Sequence, residues 1–82
     1  RKLKFTFQEQ KDYETIDGEI AALEEKIGKL EEKILAAARD FVKLNEYTRE
    51  KEEAEALLEE KMERWMYLED LAARIEAGDG RN

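Results

Sequence analysis

Isoleucine and leucine recur every three or four residues through the first half of the chain, at Ile16, Ile20, Leu23, Ile27, Leu30 and Ile34. The spacing alternates between four and three residues and averages 3.5, the heptad period of a coiled coil. Side chains at this period form a narrow apolar seam on one helix face, and such a seam is buried only against a second helix. The stripe therefore predicts a long helix that requires a helical partner.

A second, less regular stripe in the other half of the chain provides that partner. It comprises Tyr47, Lys51, Ala54, Leu58, Lys61, Trp65, Leu68, Ala72 and Ile75. If the helices fold back antiparallel about residues 42 and 43, the numbers of paired positions sum to about 85, which places Ile20 against Trp65 and Glu24 beside Lys61. A seam lysine can lay its methylene stem on the core and reach a carboxylate with its ammonium group. We therefore expect the partner helix in the same chain.

The composition favours an all-α fold, here an antiparallel two-helix coiled-coil hairpin with a short amino-terminal arm and helix packed at its open end. Charged residues make up 45% of the 82 residues and proline is absent, which favours long helices with ion pairs over sheets. No apolar run reaches the roughly 20 residues of a transmembrane helix, so we expect no membrane partner and a cytoplasmic location.

The residue types present argue against an active site. Cysteine and histidine are absent, so the sequence offers no thiolate and no imidazole for a metal or a general base. Carboxylates are dense in the second half, but a two-helix hairpin has no enclosed place in which the pKa of a carboxylic acid is raised. We interpret the carboxylates as a solvated face, with no catalytic, cofactor or metal site.

Local signals divide the predicted domain, residues 1–77, into elements. Thr6 and Glu9 match a capping box that starts a helix, and Asp17 can cap a second helix because Gly18 permits a turn or a bend between them. No glycine or proline marks the central reversal, so one longer helix is an alternative there, whereas Gly78 marks a stop. In chain order we predict an arm (1–6), a short helix (7–15), a long helix (17–38), a tip (39–45), a second long helix (46–76) and a disordered tail (78–82).

The predicted core combines both stripes with one aromatic residue, Phe7, at the start of the short helix. Aromatic residues near the amino end could stack on bases, but a small aromatic core beside Trp65 is the favoured interpretation because large aromatics dominate core energetics. Tyr67 lies off the seam and is predicted to be more exposed than Trp65. The predicted core residues are Phe7, Ile16, Ile20, Leu23, Ile27, Leu30, Ile34, Leu58, Trp65 and Leu68.

The charge distribution limits where a polyanion can bind. The net charge is −7, and residues 44–76 hold five bases against eleven acids, so most of the surface repels phosphate. Bases concentrate instead at the amino end and around the predicted tip. The nucleic-acid-binding candidates are Arg1, Lys2, Lys4, Lys11, Arg39, Lys43 and Arg49.

Three motifs occur in order along the chain. Residues 5–11 read Phe-Thr-Phe-Gln-Glu-Gln-Lys, residues 16–24 read Ile-Asp-Gly-Glu-Ile-Ala-Ala-Leu-Glu, and residues 63–69 read Glu-Arg-Trp-Met-Tyr-Leu-Glu. Together they resemble the C-terminal domain of ABC-F type ATP-binding cassette proteins, whose opening signature Leu-Ser-Tyr-Lys-Glu-Gln-Arg is similar to residues 5–11. Residues 16–24 resemble its Leu-Pro-x-Glu-Ile-x-x-Leu-Glu stretch, and residues 63–69 its Glu-Arg-Trp-x-x-Leu-Glu closure. At the tip, residues 39–42 (Arg-Asp-Phe-Val) stand where the family commonly has Asp-Pro-Asp-Phe-Tyr.

The resemblance implies a fragment from the carboxyl end of a soluble protein with two ATP-binding cassettes, acting on ribosomes or on branched DNA. The fragment lacks the ATPase motifs, so we expect no enzyme activity and no cofactor in it, with ATP and Mg bound by the parent protein. Expected partners are DNA, ribosomal RNA or the ribosome, and the ATPase domains of the same chain, with the isolated domain a monomer. The alternative is a purely structural coiled coil that mediates intramolecular packing or dimerisation.

Overall fold

A computed structural model of the chain describes residues 2–78, and over this range the fold is an antiparallel pair of helices. Helix α1 spans Phe7–Ala37 and helix α2 spans Phe41–Ala77. The hairpin measures 62 × 16 × 14 Å, so it is a rod with a single seam between two helices. The all-α hairpin predicted from the two stripes is confirmed.

The amino-terminal arm and the start of α1 follow from the alternation and the capping box. Residues 2–6 are not helical, with Leu3 and Phe5 half-buried and Lys2 and Lys4 exposed. The Phe5 ring lies 5.1 Å from the Tyr13 ring, centroid to centroid. Thr6 accepts a hydrogen bond from the Glu9 backbone N–H at 3.2 Å, and the Glu9 carboxylate accepts one from the Thr6 N–H at 2.9 Å. This reciprocal pair satisfies two amide groups of the first turn, as predicted.

Helix α1 is continuous, so the predicted division into helices at 7–15 and 17–38 is wrong. The helix passes through Asp17 and Gly18 without a break. A glycine permits a turn but does not require one, and here Ile16 and Ile20, on either side, both lie at least partly buried on the seam. A break would cost backbone hydrogen bonds and move one of the two isoleucines off that face.

The reversal is also shorter than predicted, at residues 38–40 rather than 39–45. Ala38 adopts φ 52° and ψ −97°, a positive φ that supplies the turn without glycine. Asp40 then caps α2, because its carboxylate accepts the Lys43 backbone N–H at 3.1 Å. Because this cap lets α2 begin at Phe41, Phe41 and Val42 lie in its first turn, where their side chains are 73% and 72% exposed.

The shorter reversal changes the pairing of the helices. The Lys61 ammonium lies 2.9 Å from a carboxylate oxygen of Glu19, not beside Glu24 as predicted. Lys51 likewise contacts Glu31, at 3.3 Å. In each cross-helix contact, the residue numbers of the two partners sum to a value between 76 and 82, whereas the predicted pairing required about 85. The contacts nearest Trp65 therefore place residues 11–15 opposite it, about one and a half to two and a half helical turns from Ile20.

Helix α2 ends where the glycine predicts. Gly78 has the left-handed conformation, φ 78° and ψ 24°, and its N–H donates to the carbonyl groups of Arg74 and Ile75. Only a residue without a Cβ takes this cap at little cost. The helix reaches Ala77, one residue beyond the predicted end, and most of the predicted tail, residues 79–82, lies outside the described residues.

The seam contains most of the predicted core, but few of its side chains are fully enclosed. Fully buried are Ile16, Leu30, Ala54, Leu68 and Leu71. Half-buried are Ile20, Leu23, Ile27, Ile34, Leu58 and Trp65. Two helices alone cannot cover both sides of a seam, which explains the partial burial. Phe7, predicted to be core, is 80% exposed because the period changes from two to 3.6 at the helix start and turns its ring outward.

Candidate nucleic-acid interface

The hairpin tip carries three of the predicted nucleic-acid-binding residues. Arg39 lies in the reversal, Lys43 in the first turn of α2 and Arg49 in its third turn, and all three are exposed. None of these side chains forms an ion pair within residues 2–78. The adjacent acid, Asp40, accepts the backbone N–H of Lys43 and is held by that bond. The three positive charges therefore face solvent.

The charge of the tip is opposite to that of the rest of the rod. Residues 33–49 contain four bases and two acids, a net charge of +2, whereas the whole chain carries −7. The remaining residues therefore carry −9. A polyanion is therefore repelled along most of the rod and attracted near this end.

A small groove beside the reversal brings cations and an aromatic ring together. It has a volume of 160 Å³, and we call it the tip groove; its lining residues are Lys33, Ala36, Ala37, Lys43 and Tyr47. The Lys33 ammonium lies 5.6 Å from the centroid of the Tyr47 ring. Lys43 and Tyr47 are four residues apart on α2 and so lie on one helix face. The groove thus combines two ammonium groups, one aromatic ring and a floor of small side chains.

Exposed apolar side chains accompany these charges at the tip. Leu35, in the last turns of α1, is 82% exposed, and Phe41 and Val42 open α2 with similar exposure. Single exposed apolar residues are common, but three within eight positions form a local concentration. The tip is therefore both basic and apolar.

A second, larger groove extends the basic surface along α1. It has a volume of 280 Å³, and Lys26, Lys29 and Lys33 contribute to its lining. Glu25 and Glu50 also line it, and Glu25 lies 3.7 Å from the Lys29 ammonium. Acids within the groove lower its net charge, so the tip groove is the more cationic of the two.

The amino-end candidates lie at the opposite end of the rod, so the structure does not bring the two predicted sets together. Lys2 and Lys4 are exposed on the arm, and Arg1 lies outside the described residues. Lys11 is exposed on α1 with its ammonium 5.7 Å from the Phe7 ring centroid. Lys2 also borders a groove with Leu3, Ile75 and Gly78, between the arm and the end of α2.

Acidic residues at this end are held in a cross-helix network that we call the base clamp, formed by Glu9, Asp12, Arg64 and Tyr67. The Arg64 guanidinium donates from Nε and Nη2 to one Asp12 oxygen at 3.2 and 3.1 Å. The Tyr67 hydroxyl donates to the Glu9 carboxylate at 2.6 Å, and the Arg64 guanidinium lies 5.2 Å from the Tyr67 ring centroid. The clamp joins the first turns of α1 to α2.

The clamp shifts the pKa values of its members. The hydrogen bond from Tyr67 lowers the pKa of Glu9 and raises that of Tyr67 itself. A hydrogen bond from Gln8, followed by those from Arg64, lowers the pKa of Asp12. Nearby, the negative charge of Glu69 raises the pKa of Tyr13. The carboxylates here are stabilised as anions, so the amino-end lysines share their surroundings with fixed negative charge.

Three contributors to the tip site were not among the predicted binding residues: Lys33, Phe41 and Tyr47. The predicted pivot at residues 42 and 43 placed Phe41 inside the turn and moved Lys33 away from Tyr47. The sequence signal that bears on these three residues is Asp40. Its carboxylate accepts the Lys43 backbone N–H, which makes Asp40 the N-cap and fixes the start of α2 at Phe41.

Two other kinds of site receive no support from the described residues. Within residues 2–78, no cluster of three or more acidic side chains is arranged to hold a metal ion. Neither described helix is long and apolar enough to cross a membrane.

The fold and its arm define a class of protein domain, a coiled-coil hairpin closed by a clamp at one end and basic at the other. The chain belongs to the family of ABC transporter C-terminal domains, which it matches over residues 4–70. It is 34% identical over 77 residues to YfmR of Bacillus subtilis (strain 168), described as an uncharacterized ABC transporter ATP-binding protein. The match covers 94% of this chain and 12% of that relative. No solved structure matches the chain. The resemblance inferred from the three motifs is confirmed.

Proposed function

We propose that the chain is a C-terminal interaction appendage of an ABC-F ATPase and that its tip contacts nucleic acid, either DNA or ribosomal RNA. The observation that carries this proposal is the group of exposed cations at the tip, Arg39, Lys43 and Arg49, which form no ion pairs within the described residues. Phosphate contacts by such side chains supply most of the affinity of many nucleic-acid-binding proteins.

The shape and charge of the rod favour contact at its end. The tip is separated from the clamped base by most of the 62 Å length, and the intervening surface is acidic. Approach along the side of the rod would place phosphates against carboxylates, whereas approach at the tip meets a net positive charge. In this proposal the appendage reaches its target end-on.

The appendage itself is not catalytic in this proposal. ATP and Mg are bound by cassettes elsewhere in the parent protein, and those cassettes are the second set of partners. The relative of Bacillus subtilis is named as an ATP-binding protein, which supports this division of labour. The isolated hairpin is proposed to be a monomer because its apolar seam is paired within the chain.

Salt-dependent binding tests the proposal. Labelled branched DNA and ribosomal RNA fragments are titrated with the 82-residue chain at about 50 and 200 mM salt. With three or four phosphate contacts, affinity should fall about 20- to 150-fold between the two conditions because each contact releases counterions. Absence of binding at the lower salt would contradict nucleic-acid contact.

Two matched triple variants locate the contact. Reversal of Arg39, Lys43 and Arg49 to Glu should reduce the affinity and flatten the salt dependence. Reversal of Lys2, Lys4 and Lys11 to Glu changes the net charge by the same amount at the other end and should have a much smaller effect. The opposite ranking would move the interface to the amino end.

A second candidate function is packing against the parent's own ATPase domains without nucleic acid. It is favoured by exposed apolar side chains on α2, where Leu57 is 43%, Met62 40% and Met66 61% exposed. Methionine suits such a surface because its flexible side chain adapts to irregular partners. Sedimentation separates the related case of self-association: a concentration-dependent dimer would favour a structural role, and a monomer the interaction appendage.

A further inference from the structure

We infer, on the basis of the proposed function, that the tip binds unpaired nucleotides in the loops of a folded RNA. In this arrangement Phe41 is a stacking platform for a base, and Lys33, Arg39 and Lys43 contact the flanking phosphates. The proposal rests on three observations: an exposed ring among cations, a groove that pairs cations with a second ring, and a tip too wide to enter a duplex groove.

Phe41 is placed to stack on a planar ligand. Its side chain is 73% exposed at the first position of α2, with Arg39 and Lys43 each two residues away. An aromatic face flanked by cations matches the two components of single-strand recognition, which are stacking and backbone neutralisation. Base stacking is tolerant of sequence because every base has a π-face.

The tip groove shares Lys43 with this group of residues. Lys33 on α1 and Lys43 on α2 both line it, so two ammonium groups from different helices converge on one 160 Å³ space. The Tyr47 ring also lines this space, with the Lys33 ammonium 5.6 Å from its centroid. A strand at the tip can thus meet phosphate-binding groups in this groove as well as those next to Phe41 in sequence.

The dimensions of the rod disfavour insertion of its end into a duplex groove. Its cross-section is 16 × 14 Å, wider than the ~12 Å major groove of B-form DNA. The major groove of A-form RNA is deep and narrow and admits no such element. Bases reach Phe41 only where they lie outside a helix, and stably splayed bases are characteristic of RNA loops and bulges.

The test compares three probes with the same stem sequence: an RNA hairpin, the blunt RNA duplex and the DNA hairpin. The loop of the RNA hairpin has about eight unpaired nucleotides, within the size range of single-strand sites. The 82-residue chain should bind the RNA hairpin most tightly. Phe41→Ala should weaken that binding about 5- to 150-fold, the range expected for loss of one stacked base. Binding to the blunt duplex should be unchanged by the substitution.

Further variants separate stacking from other effects. Phe41→Trp should retain binding, whereas Phe41→Leu should lose as much as Phe41→Ala because it keeps apolar volume without a π-face. Phe7→Ala is the matched control: Phe7 also opens a helix and is 80% exposed, but it lies at the base, and its loss should not affect affinity. Circular dichroism should show unchanged helicity and melting for all four, since both rings are exposed.

The outcomes distinguish this inference from the proposed function. Equal affinity for the hairpin and the blunt duplex, or full binding by Phe41→Leu, would overturn the stacking inference while leaving nucleic-acid contact intact. Equal affinity for the DNA hairpin would overturn the assignment to RNA. Failure to bind any of the three probes at about 50 mM salt would overturn the proposed function as well.

Discussion

The base and the tip of the hairpin are made from the same two helices but use their charged residues in different ways. At the base, Arg64 and Tyr67 of α2 donate hydrogen bonds to Asp12 and Glu9 of α1, so the polar side chains there join the two helices. At the tip, Arg39 and Lys43 form no ion pair within the described residues. The base is thus built for cohesion, whereas the tip retains its charge for an external partner.

Burial follows the same gradient. Ile16, Leu68 and Leu71 are fully buried near the base, Leu30 and Ala54 lie nearer the middle, and none of residues 31–53 is fully buried. Local stability depends on the density of buried apolar contacts, so the tip should open more readily than the base. The two ends of this rod thus differ in burial and in the use of charge without any change of secondary structure.

The largest difference between the ends should come from paired leucine truncations. Leu68→Ala should reduce the free energy of unfolding by about 2 to 5 kcal/mol, because a side chain with 0% exposure leaves a cavity. Leu35→Ala, at an 82% exposed position, should change it by less than about 0.5 kcal/mol. Chemical denaturation followed by circular dichroism measures both. Similar losses for the two variants would refute the gradient of burial.

Two separate substitutions should stabilise the hairpin for opposite reasons, one replacing an alanine by glycine at the tip and the other replacing a glycine by alanine towards the base. Ala38→Gly should add about 1 kcal/mol, because φ 52° is strained for a residue with a Cβ. Gly18→Ala should add a similar amount, up to about 1 kcal/mol, because Gly18 is helical and an added Cβ meets nothing within 4 Å. Thermal melting checks each variant against the wild-type chain. Destabilisation by Gly18→Ala would mean that the base needs a flexible residue there.

The coupling energy across the base clamp should be smaller than these effects. A double-mutant cycle of Asp12→Ala and Arg64→Ala should give about 0.5 to 1 kcal/mol, because the partly exposed pair shares two hydrogen bonds. The same cycle on Glu25 and Lys29, whose side chains are about 70% exposed, should give a value near zero. Equal coupling in the two cycles would show that the clamp contributes no more than an ordinary surface pair.

The smallest expected effect is the response of the clamp to pH. Glu9 and Asp12 have lowered folded-state pKa values, so their contribution to stability is present above the ordinary carboxyl pKa near 4 and is lost as pH falls through the folded values. Carboxyl NMR titration of Tyr67→Phe should show the pKa of Glu9 rising toward its ordinary value. Tyr47→Phe at the tip should leave it unchanged, and an effect of that variant would indicate coupling along the whole rod.

Much of the fold was predictable because periodicity reports directly on burial. The 3.5-residue stripe from Ile16 to Ile34 identified one face of α1, and the Thr6 and Glu9 pair located its start. Gly78 located the end of α2 for an equally local reason, its left-handed cap. Features that depend on one or two neighbouring residues, or on a repeated pattern, can therefore be predicted from the sequence.

The errors arose where local signals allow more than one backbone. Gly18 is compatible with both turn and helix, and only packing of the flanking isoleucines against α2 decides between them. The reversal uses Ala38, a residue type with no preference for positive φ, so its position could not be read from composition. Because the predicted turn was about three residues too late, the predicted pairing of the two helices was shifted along its whole length. Lys33 and Phe41 were therefore not included in the predicted site.

Cross-helix ion pairs recur along the length of the rod. Asp12–Arg64, Glu19–Lys61 and Glu31–Lys51 join the two helices at three successive levels. A rotation of about 10° at the base swings the end of a 62 Å arm through roughly 10 Å. The hairpin is therefore a lever that converts a small angular change at its root into a displacement of molecular size at its far end.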